Sequence, residues 1–287
     1  MKIYDMHIHI NYGEAKPQYL LEQMEKGGVW GGALISPCPE LATANLYKLP
    51  YKDRLKNVME WTKDYEGRLI PVLWVHPFEK GACDMVRDAA NEGVAAFKII
   101  CDTFPVYCQE NMKLLEAIEE TGKPAIFHTG ILWSGTDTSR FNRPADWECL
   151  LNLKNIKFSM GHCGWPWHDE CIAVYGKFLN YYNVRRSSEM FFDITPGTPK
   201  IYRKELLTKM FTVGYDVDNN IMFGTDSVAG EYDPTWAANW IKLDNEIMDE
   251  LNVGADVRKK LYEDNFLRFI SGGDIDHSLP QMNTENK

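Results

Sequence analysis

Apolar segments with β-forming residues alternate with amphipathic segments along almost the whole chain. The apolar segments predict strands near residues 2–9, 29–36, 69–76, 94–101, 124–128, 156–162, 189–195 and 220–226. The amphipathic segments predict helices near residues 17–26, 51–65, 80–91, 109–121, 143–153, 168–181, 200–211, 234–250 and 255–270. In one of these helices Met112, Leu115 and Ile118 share a face, and charged residues fill the other side.

Repeated strand–helix units of about 28 residues are typical of βαβ structure with a parallel sheet. Two architectures use such units, the open doubly wound sheet and the closed (β/α)8 barrel. The open sheet usually carries a glycine-rich phosphate turn after its first strand, but residues 7–11 read HIHIN at that place. We therefore predict a single-domain (β/α)8 TIM barrel over residues 1–271, followed by a polar tail over residues 272–287.

Composition and charge narrow the class of protein. The 287 residues are 45% hydrophobic and 25% charged, which excludes a disordered or fibrous chain. A net charge of −10 without a basic stripe argues against a nucleic-acid partner, and the absence of long apolar runs argues against a membrane span. The polar start of the chain does not resemble a signal peptide, and the 7 cysteines form no C-x-x-C pair. These features predict reduced thiols and a cytoplasmic location.

The first predicted strand ends in two histidines, His7 and His9. Residues two apart in a strand point to the same face, so both imidazoles are expected to enter the mouth of a barrel together, with Asp5 on that face one layer deeper. An isolated His-x-His pair in a strand is often two unrelated histidines. The metal-binding interpretation is favoured here because further histidines end other strands.

Those further residues lie at the ends of the fifth, sixth and eighth predicted strands, which are His128, His162 and Asp226. In a (β/α)8 barrel the active-site side chains project from the carboxyl ends of the strands. Imidazoles and a carboxylate suit zinc or manganese, and a carboxylate that ends an apolar strand needs a cation to stay ionised. The pattern predicts a divalent metal centre.

Several motifs in this order resemble the amidohydrolase superfamily. They are DMHIH at residues 5–9, FHT at 127–129, GHCG at 161–164 followed by WPW at 165–167, FGTD at 223–226 and NFLRF at 265–269. The chain looks like the amidohydrolase-related branch that includes aminocarboxymuconate-semialdehyde decarboxylase and the resorcylate decarboxylases. The resemblance extends from about residue 2 to about residue 270.

The resemblance implies that His7, His9, His128 and Asp226 hold one divalent ion per chain, with zinc as the first expectation and manganese as the second. In the mononuclear relatives a histidine at the place of His162 is the base that activates the metal-bound water. In binuclear hydrolytic relatives the same histidine binds a second metal. His162 and Asp226 are therefore the expected catalytic residues.

Lys98, in an otherwise apolar fourth strand, leaves the number of metal ions open. A fourth-strand lysine is carbamylated and bridges two metals in binuclear relatives, whereas an ammonium would pair with Asp226 or with substrate. We expect Lys98 to contact substrate. Arg140 and Arg143 are expected to bind a substrate carboxylate, with a surface role as the alternative. Trp165 is expected to line the pocket or to cover the rim of the barrel.

The sequence supports three functions. The first is a metal-dependent hydrolase that cleaves a C–N or C–O bond of a small molecule with a metal-activated water. The alternative is a non-oxidative decarboxylase, or a hydratase, of an unsaturated or aromatic acid, and an inert metal-binding protein is a third. Among the remaining strand-end residues, His76, Asp193 and Thr195 are either pocket residues or hydrogen-bonded core residues. Homodimers are common in the branch resembled, so a homodimer is an expectation.

Overall fold

The computed structural model describes residues 1–11, 14–43, 47–185, 188–197 and 199–272. Apart from its first residue, the predicted tail over residues 272–287 lies outside the described residues. The strands are β1 (Tyr4–His9), β2 (Gly31–Ile35), β3 (Cys38–Pro39), β4 (Lys48–Leu49), β5 (Leu69–Trp74), β6 (Ala96–Ile99), β7 (Ala125–His128), β8 (Lys157–Gly161), β9 (Glu189–Asp193), β10 (Ile221–Met222) and β11 (Ser227–Val228).

Helices follow the barrel strands in the order expected from the sequence. They are α1 (Pro17–Lys26), α2 (Tyr51–Thr62), α3 (Ala82–Asn91), α4 (Gln109–Glu120), α5 (His168–Arg185), α6 (Ile201–Thr212), α7 (Pro234–Glu250), α8 (Ala255–Lys259) and α9 (Asn265–Ser271). A π-helical turn, Lys260–Asp264, joins α8 to α9. Among the described residues, no helix has the length and apolar character needed to span a bilayer.

One predicted α-helix has a different geometry. The segment predicted as a helix over 143–153 is a 3₁₀ helix, Pro144–Asn152. Its buried residues are Pro144, Trp147 and Leu150, which recur every three positions. A 3₁₀ helix has three residues per turn, so this spacing places all three on one face.

The strands form a closed parallel barrel, as predicted. The sheet order is β10-β9-β8-β7-β6-β5-β2-β1-β11. β10 lies within the eighth strand predicted over residues 220–226, and β11 begins one residue after that predicted strand ends. The barrel closes because β11 pairs with β1 and the backbone N–H of Met6 donates to the carbonyl of Phe223 at 2.9 Å. The fold is therefore a single-domain (β/α)8 barrel, in which the eighth strand is interrupted where the sequence predicts one continuous run.

A bulge in β1 sets which of its residues enter the barrel. Asp5 pairs with Gly32 and Ile8 pairs with Leu34, so β1 has one more residue than β2 between these pairs. The prediction that Asp5 shares a face with His7 is wrong for this reason, because a bulge breaks the period-2 alternation.

Helix α9 closes the amino-terminal end of the barrel. Phe266 stacks on Tyr4 with ring centroids 4.8 Å apart, and Phe269 packs edge-on against Phe191 at 5.0 Å. All four rings are buried in the barrel interior. The carboxyl ends of the strands form the opposite end of the barrel, and the predicted site residues lie there.

Candidate functional site

The end of β1 and the connection between β10 and β11 bring two imidazoles and a carboxylate together. Nε2 of His7 lies 3.1 Å from Nε2 of His9. Oδ1 of Asp226 lies 3.8 Å from Nε2 of His7 and 3.6 Å from Nε2 of His9. A nitrogen of His162 also lies within 4.8 Å of ligand atoms of His7 and Asp226. Three strand ends therefore supply atoms that can contact one cation.

Asp193, at the end of β9, orients the ring of His7. Its Oδ2 lies 2.7 Å from Nδ1 of His7, and both side chains are buried. Its Oδ1 accepts hydrogen bonds from the backbone N–H (2.9 Å) and the hydroxyl of Thr195. A carboxylate at Nδ1 favours the tautomer that leaves the Nε2 lone pair free, an arrangement typical of metal-binding histidines. Asp193 thus supports the site from behind His7.

Backbone carbonyls orient two more rings. Nδ1 of His162 lies 3.2 Å from the carbonyl of Thr195, and Nε2 of His128 lies 3.2 Å from the carbonyl of Ile131. A carbonyl oxygen only accepts, so those nitrogens carry the proton. His162 therefore has Nε2 free and His128 has Nδ1 free. The two rings are in edge contact, with centroids 4.8 Å apart, and the centroid of His162 lies 5.4 Å from that of His7.

Two site residues have left-handed backbone conformations that side chains other than glycine rarely adopt. The φ angles are 59° at His162 and 57° at Asp226. Such strain is concentrated at functional sites, where the surrounding structure maintains it. A nearby glycine is also required, since a Cβ at Gly197 would lie 2.6 Å from Nδ1 of His162.

Burial keeps the imidazoles neutral. It lowers the pKa of His9 to about 3 and that of His162 to about 4, with neighbouring positive charge adding to the effect at His9. It also lowers the pKa of His7 and His128 well below the usual value. Neutral imidazole is the form that binds metal, so at neutral pH these rings offer lone pairs. Together with Asp226 they form a donor set that fits zinc or manganese.

Lys98 is fully buried inside this cluster. Its Nζ lies 3.2 Å from Nε2 of His7, and burial lowers its pKa to about 8 despite the attraction of Asp193 and Asp226. The pKa of Asp226 is raised, mainly by burial. This position places the ammonium of Lys98 beside His7, and its contact with substrate stays a prediction.

The arginines predicted to bind substrate are engaged elsewhere. Arg140 lies 3.4 Å from Asp137 and is 65% exposed, and Arg143 pairs with Glu170 and stacks on Trp167. Within the described part of the chain, neither has a polar contact with the histidine cluster.

Trp165 stacks on Trp133 with nearly parallel rings, centroids 6.5 Å apart and planes 10° apart. Trp133 is 79% exposed.

Sequence reasoning missed a polar pair at the ends of β5 and β6. Nε2 of the buried His76 lies 3.6 Å from Oδ1 of Asp102, whose Oδ2 accepts from the backbone N–H and hydroxyl of Thr43. His76 ends a predicted strand, but Asp102 follows the predicted fourth strand by one residue and so lies outside the strand ends at which site residues are expected. The pair attaches the loop after β2 to the rim.

The fold and this cluster define a (β/α)8-barrel enzyme with a metal-binding donor set at its mouth. The chain belongs to the amidohydrolase family, since the family model described as Amidohydrolase matches residues 4–270. Enzymes of this family generally depend on divalent metal ions, and the resemblance inferred from the motifs is confirmed. No curated protein sequence matches this chain.

Solved structures share the fold at low sequence identity. A probable 2-pyrone-4,6-dicarboxylic acid hydrolase from Acinetobacter baumannii is 14% identical with a TM-score of 0.60, and the match covers 94% of this chain and 100% of that one. A 5-carboxyvanillate decarboxylase from Novosphingobium aromaticivorans with bound manganese is 13% identical, with a TM-score of 0.59 and coverages of 90% and 81%. A dihydroorotase from Campylobacter jejuni is 15% identical, with a TM-score of 0.58 and coverages of 96% and 84%.

Proposed function

We propose that this amidohydrolase is a metal-dependent hydrolase that uses water to cleave a C–N or C–O bond of a small molecule. The observation that carries the proposal is the convergence of Nε2 of His7, Nε2 of His9 and Oδ1 of Asp226 within 3.8 Å of one another. The ammonium of Lys98 already offers a proton to Nε2 of His7, and a divalent cation would in addition engage the lone pair of His9 and neutralise Asp226.

His7, His9, His128 and Asp226 would hold one divalent ion, zinc in the first instance and manganese in the second. Such an ion supplies a Lewis acid that polarises a substrate oxygen and lowers the pKa of water. Two metal ions with a carbamylated Lys98 are the alternative stoichiometry.

His162 acts as the general base in this proposal. Its Nδ1 donates to the carbonyl of Thr195, so its Nε2 is the nitrogen that takes a proton. Its low pKa keeps that nitrogen unprotonated at neutral pH. The side chain of Asp226 is 35% exposed, and its carboxylate can relay the proton taken up by His162 to a leaving group. A positioned base of this kind contributes about 10²–10⁴ in rate.

The structure supports some of the proposed substrate-binding residues more directly than others. Lys98 places a buried cation beside His7, where it can bind a substrate oxygen, and Trp165 offers an aromatic face at the rim. Arg140 and Arg143 already have carboxylate partners, so they would have to exchange these for the carboxylate of a substrate.

A non-oxidative decarboxylase is the second candidate. The buried ammonium of Lys98 and the parallel rings of Trp133 and Trp165 favour a planar acid as substrate. Two of the similar structures bear the names of a hydrolase and a decarboxylase of cyclic carboxylic acids, which agrees with both candidates.

We also propose that the protein is cytoplasmic and forms a homodimer. A cytoplasmic location is supported by the seven cysteines, all of which are described and free of disulfides. A homodimer is proposed from the family alone.

The test compares metal-stripped protein with protein reloaded with zinc or manganese. Each form is assayed on cyclic lactones by proton release, on cyclic amides by appearance of the amine product, and on aromatic carboxylic acids by release of carbon dioxide. We expect metal-dependent turnover of the first set, whereas turnover of the second set alone would favour the decarboxylase. Turnover that is independent of metal would contradict both candidates.

The metal content of two variants tests the ligand assignment. His9→Asn should lose the metal, whereas His76→Asn should keep it, because His76 is a buried strand-end histidine outside the cluster.

A further inference from the structure

The end of β9 carries both groups that orient the imidazoles from behind. Asp193 contacts Nδ1 of His7 at 2.7 Å, and the carbonyl of Thr195 accepts from Nδ1 of His162 at 3.2 Å. Ile194 lies between them, and its backbone N–H donates to the carbonyl of Met222 at 3.0 Å. Any rotation of residues 193–195 would therefore move the partners of two site histidines together.

The carbonyl of Ile194 is held by a buried arginine. Arg203, on α6, donates from Nη1 to this carbonyl. Its Nε and Nη2 donate to the two carboxylate oxygens of Asp244, on α7, at 2.6 and 2.7 Å. Trp240 covers the guanidinium, with its ring centroid 5.2 Å from Cζ. All three nitrogens of the guanidinium are thus fixed between two helices and one strand end.

An ion pair at this depth contributes more to geometry than to stability. Arg203 is 2% exposed and Asp244 is fully buried, so both charges have lost their water, and desolvation cancels much of their attraction. A bidentate pair between a guanidinium and a carboxylate fixes orientation, because its two parallel bonds allow little rotation. The third bond transfers that fixed orientation to Ile194.

We propose that Arg203 and Asp244 are positioning residues that hold the end of β9, so that Asp193 and Thr195 keep His7 and His162 in the orientation that leaves both Nε2 atoms free. The inference rests on the proposed function only where metal affinity is the measurement. The state of the imidazole N–H groups in metal-free protein tests it independently.

The same strand offers a matched control at its other end. Arg268, on α9, donates from Nη1 to both carboxylate oxygens of Glu189 at 2.8 and 2.9 Å, and from Nη2 to the carbonyl of Asn219. Glu189 is the first residue of β9 and is 4% exposed. This pair also joins a guanidinium to a buried carboxylate and to a backbone carbonyl, although a single nitrogen contacts both carboxylate oxygens, and it lies at the end of the strand away from the site.

The experiment compares Arg203→Lys with Arg268→Lys. Lysine keeps the charge but lacks the fork, so both variants should unfold at a lower temperature than wild type. In metal-free protein, the Nδ1–H protons of His7 and His162 are followed by NMR through their exchange with water. We expect exchange to accelerate at least about tenfold in Arg203→Lys only, with metal affinity falling about 10–100-fold in a chelator competition.

Equal exchange rates in the two variants would overturn the proposal and leave Arg203 with a purely structural role. If Arg203→Lys does not fold, Asp244→Asn replaces it, since the amide keeps one acceptor for the guanidinium and should accelerate exchange in the same direction by a smaller factor. Wild-type exchange rates in Asp244→Asn would then overturn it. If wild-type protein binds no metal, the proposed function fails, and the exchange measurement still decides the positioning role.

Discussion

The site imidazoles differ in which ring nitrogen the protein leaves free. A carboxylate and a carbonyl engage Nδ1 of His7 and of His162, whereas a carbonyl engages Nε2 of His128. Because all three partners accept, the opposite nitrogen carries the lone pair. His7 and His162 therefore keep Nε2 free, whereas His128 keeps Nδ1 free, so the side chains from three strands do not all use the same edge of the imidazole.

This arrangement separates metal binding from chemistry at two residues. Asp226→Asn removes the charge that lies 3.6 Å and 3.8 Å from His9 and His7, so we expect loss of both metal and activity. His162→Asn removes a base whose other nitrogen is fixed by a carbonyl, so we expect near-normal metal content and a kcat lower by about 10²–10⁴. Elemental analysis and steady-state kinetics on the same preparations measure both quantities.

His9→Asn is the reference for loss of a ligand. If His162→Asn loses its metal as completely as that variant, His162 is itself a ligand. The two-metal arrangement with a carbamylated Lys98 would then replace the single-metal proposal. In protein grown with ¹³C-labelled bicarbonate, a carbamate carbon signal in the NMR spectrum of the folded protein would show the modification, because the carbamate is lost when the chain unfolds.

The cluster was predictable from the sequence, because the parallel strands of a barrel all end on one rim. His7, His9, His162 and Asp226 each lie at or near the carboxyl end of a strand, so they were expected close together before any distance was known. The same reasoning did not predict that Asp193 supports His7, because the sequence does not show which residues let β9 and β1 approach across the strand between them.

At the level of elements, that approach depends on a gap in the eighth strand. A Cβ at Gly224 would lie 2.1 Å from Oγ1 of Thr195 and 3.2 Å from both Oδ1 of Asp193 and Cβ of His7. The absence of a side chain there lets Asp193 reach His7 past the interrupted strand. The interruption between β10 and β11 is thus part of the site rather than an irregularity of the barrel.

Gly224→Ala should therefore disturb the barrel and the site together. The added methyl forces Thr195 and Asp193 to move, and overpacking of this kind costs about 1–3 kcal/mol of the free energy of unfolding. We expect weaker metal binding as well, because Asp193 leaves Nδ1 of His7. Urea unfolding and chelator competition measure the two effects. Gly230→Ala is the control, since a Cβ there meets open space, and equal behaviour of both variants would contradict the argument.

Helices and strands were predictable where a local sequence pattern determines them. Features that depend on how two strands pair were less predictable. Amphipathic periodicity located the helices, and apolar runs located the strands. The bulge at residues 5–8 depends on the register with β2, which only the folded sheet defines. The 3₁₀ geometry of residues 144–152 was readable in principle, since Trp147 and Leu150 are spaced for three residues per turn.

At the scale of the whole molecule, burial of titratable groups makes stability depend on pH in two opposite directions. Histidines with lowered pKa values stay neutral in the folded state while the unfolded chain takes up protons below about pH 6.5, so they reduce stability in acid. Asp5, whose pKa burial raises to about 7, takes up its proton in the folded state first and has the opposite effect. The measured dependence of stability on pH is the sum of the histidine and Asp5 contributions, so variants of single residues are needed to separate the two.

His168 isolates the histidine contribution, because it is buried at the start of α5 and is not part of the metal cluster. Burial lowers its pKa to about 4, against an unfolded value of about 6.5. Its contribution is therefore complete above pH 6.5 and falls as the pH drops towards 4. Between pH 7 and pH 5, wild type should lose about 2 kcal/mol more of its free energy of unfolding than His168→Gln. Urea unfolding at both pH values in the same metal state measures this difference, and parallel pH profiles for the two proteins would show that His168 takes up protons equally in the folded and unfolded chain.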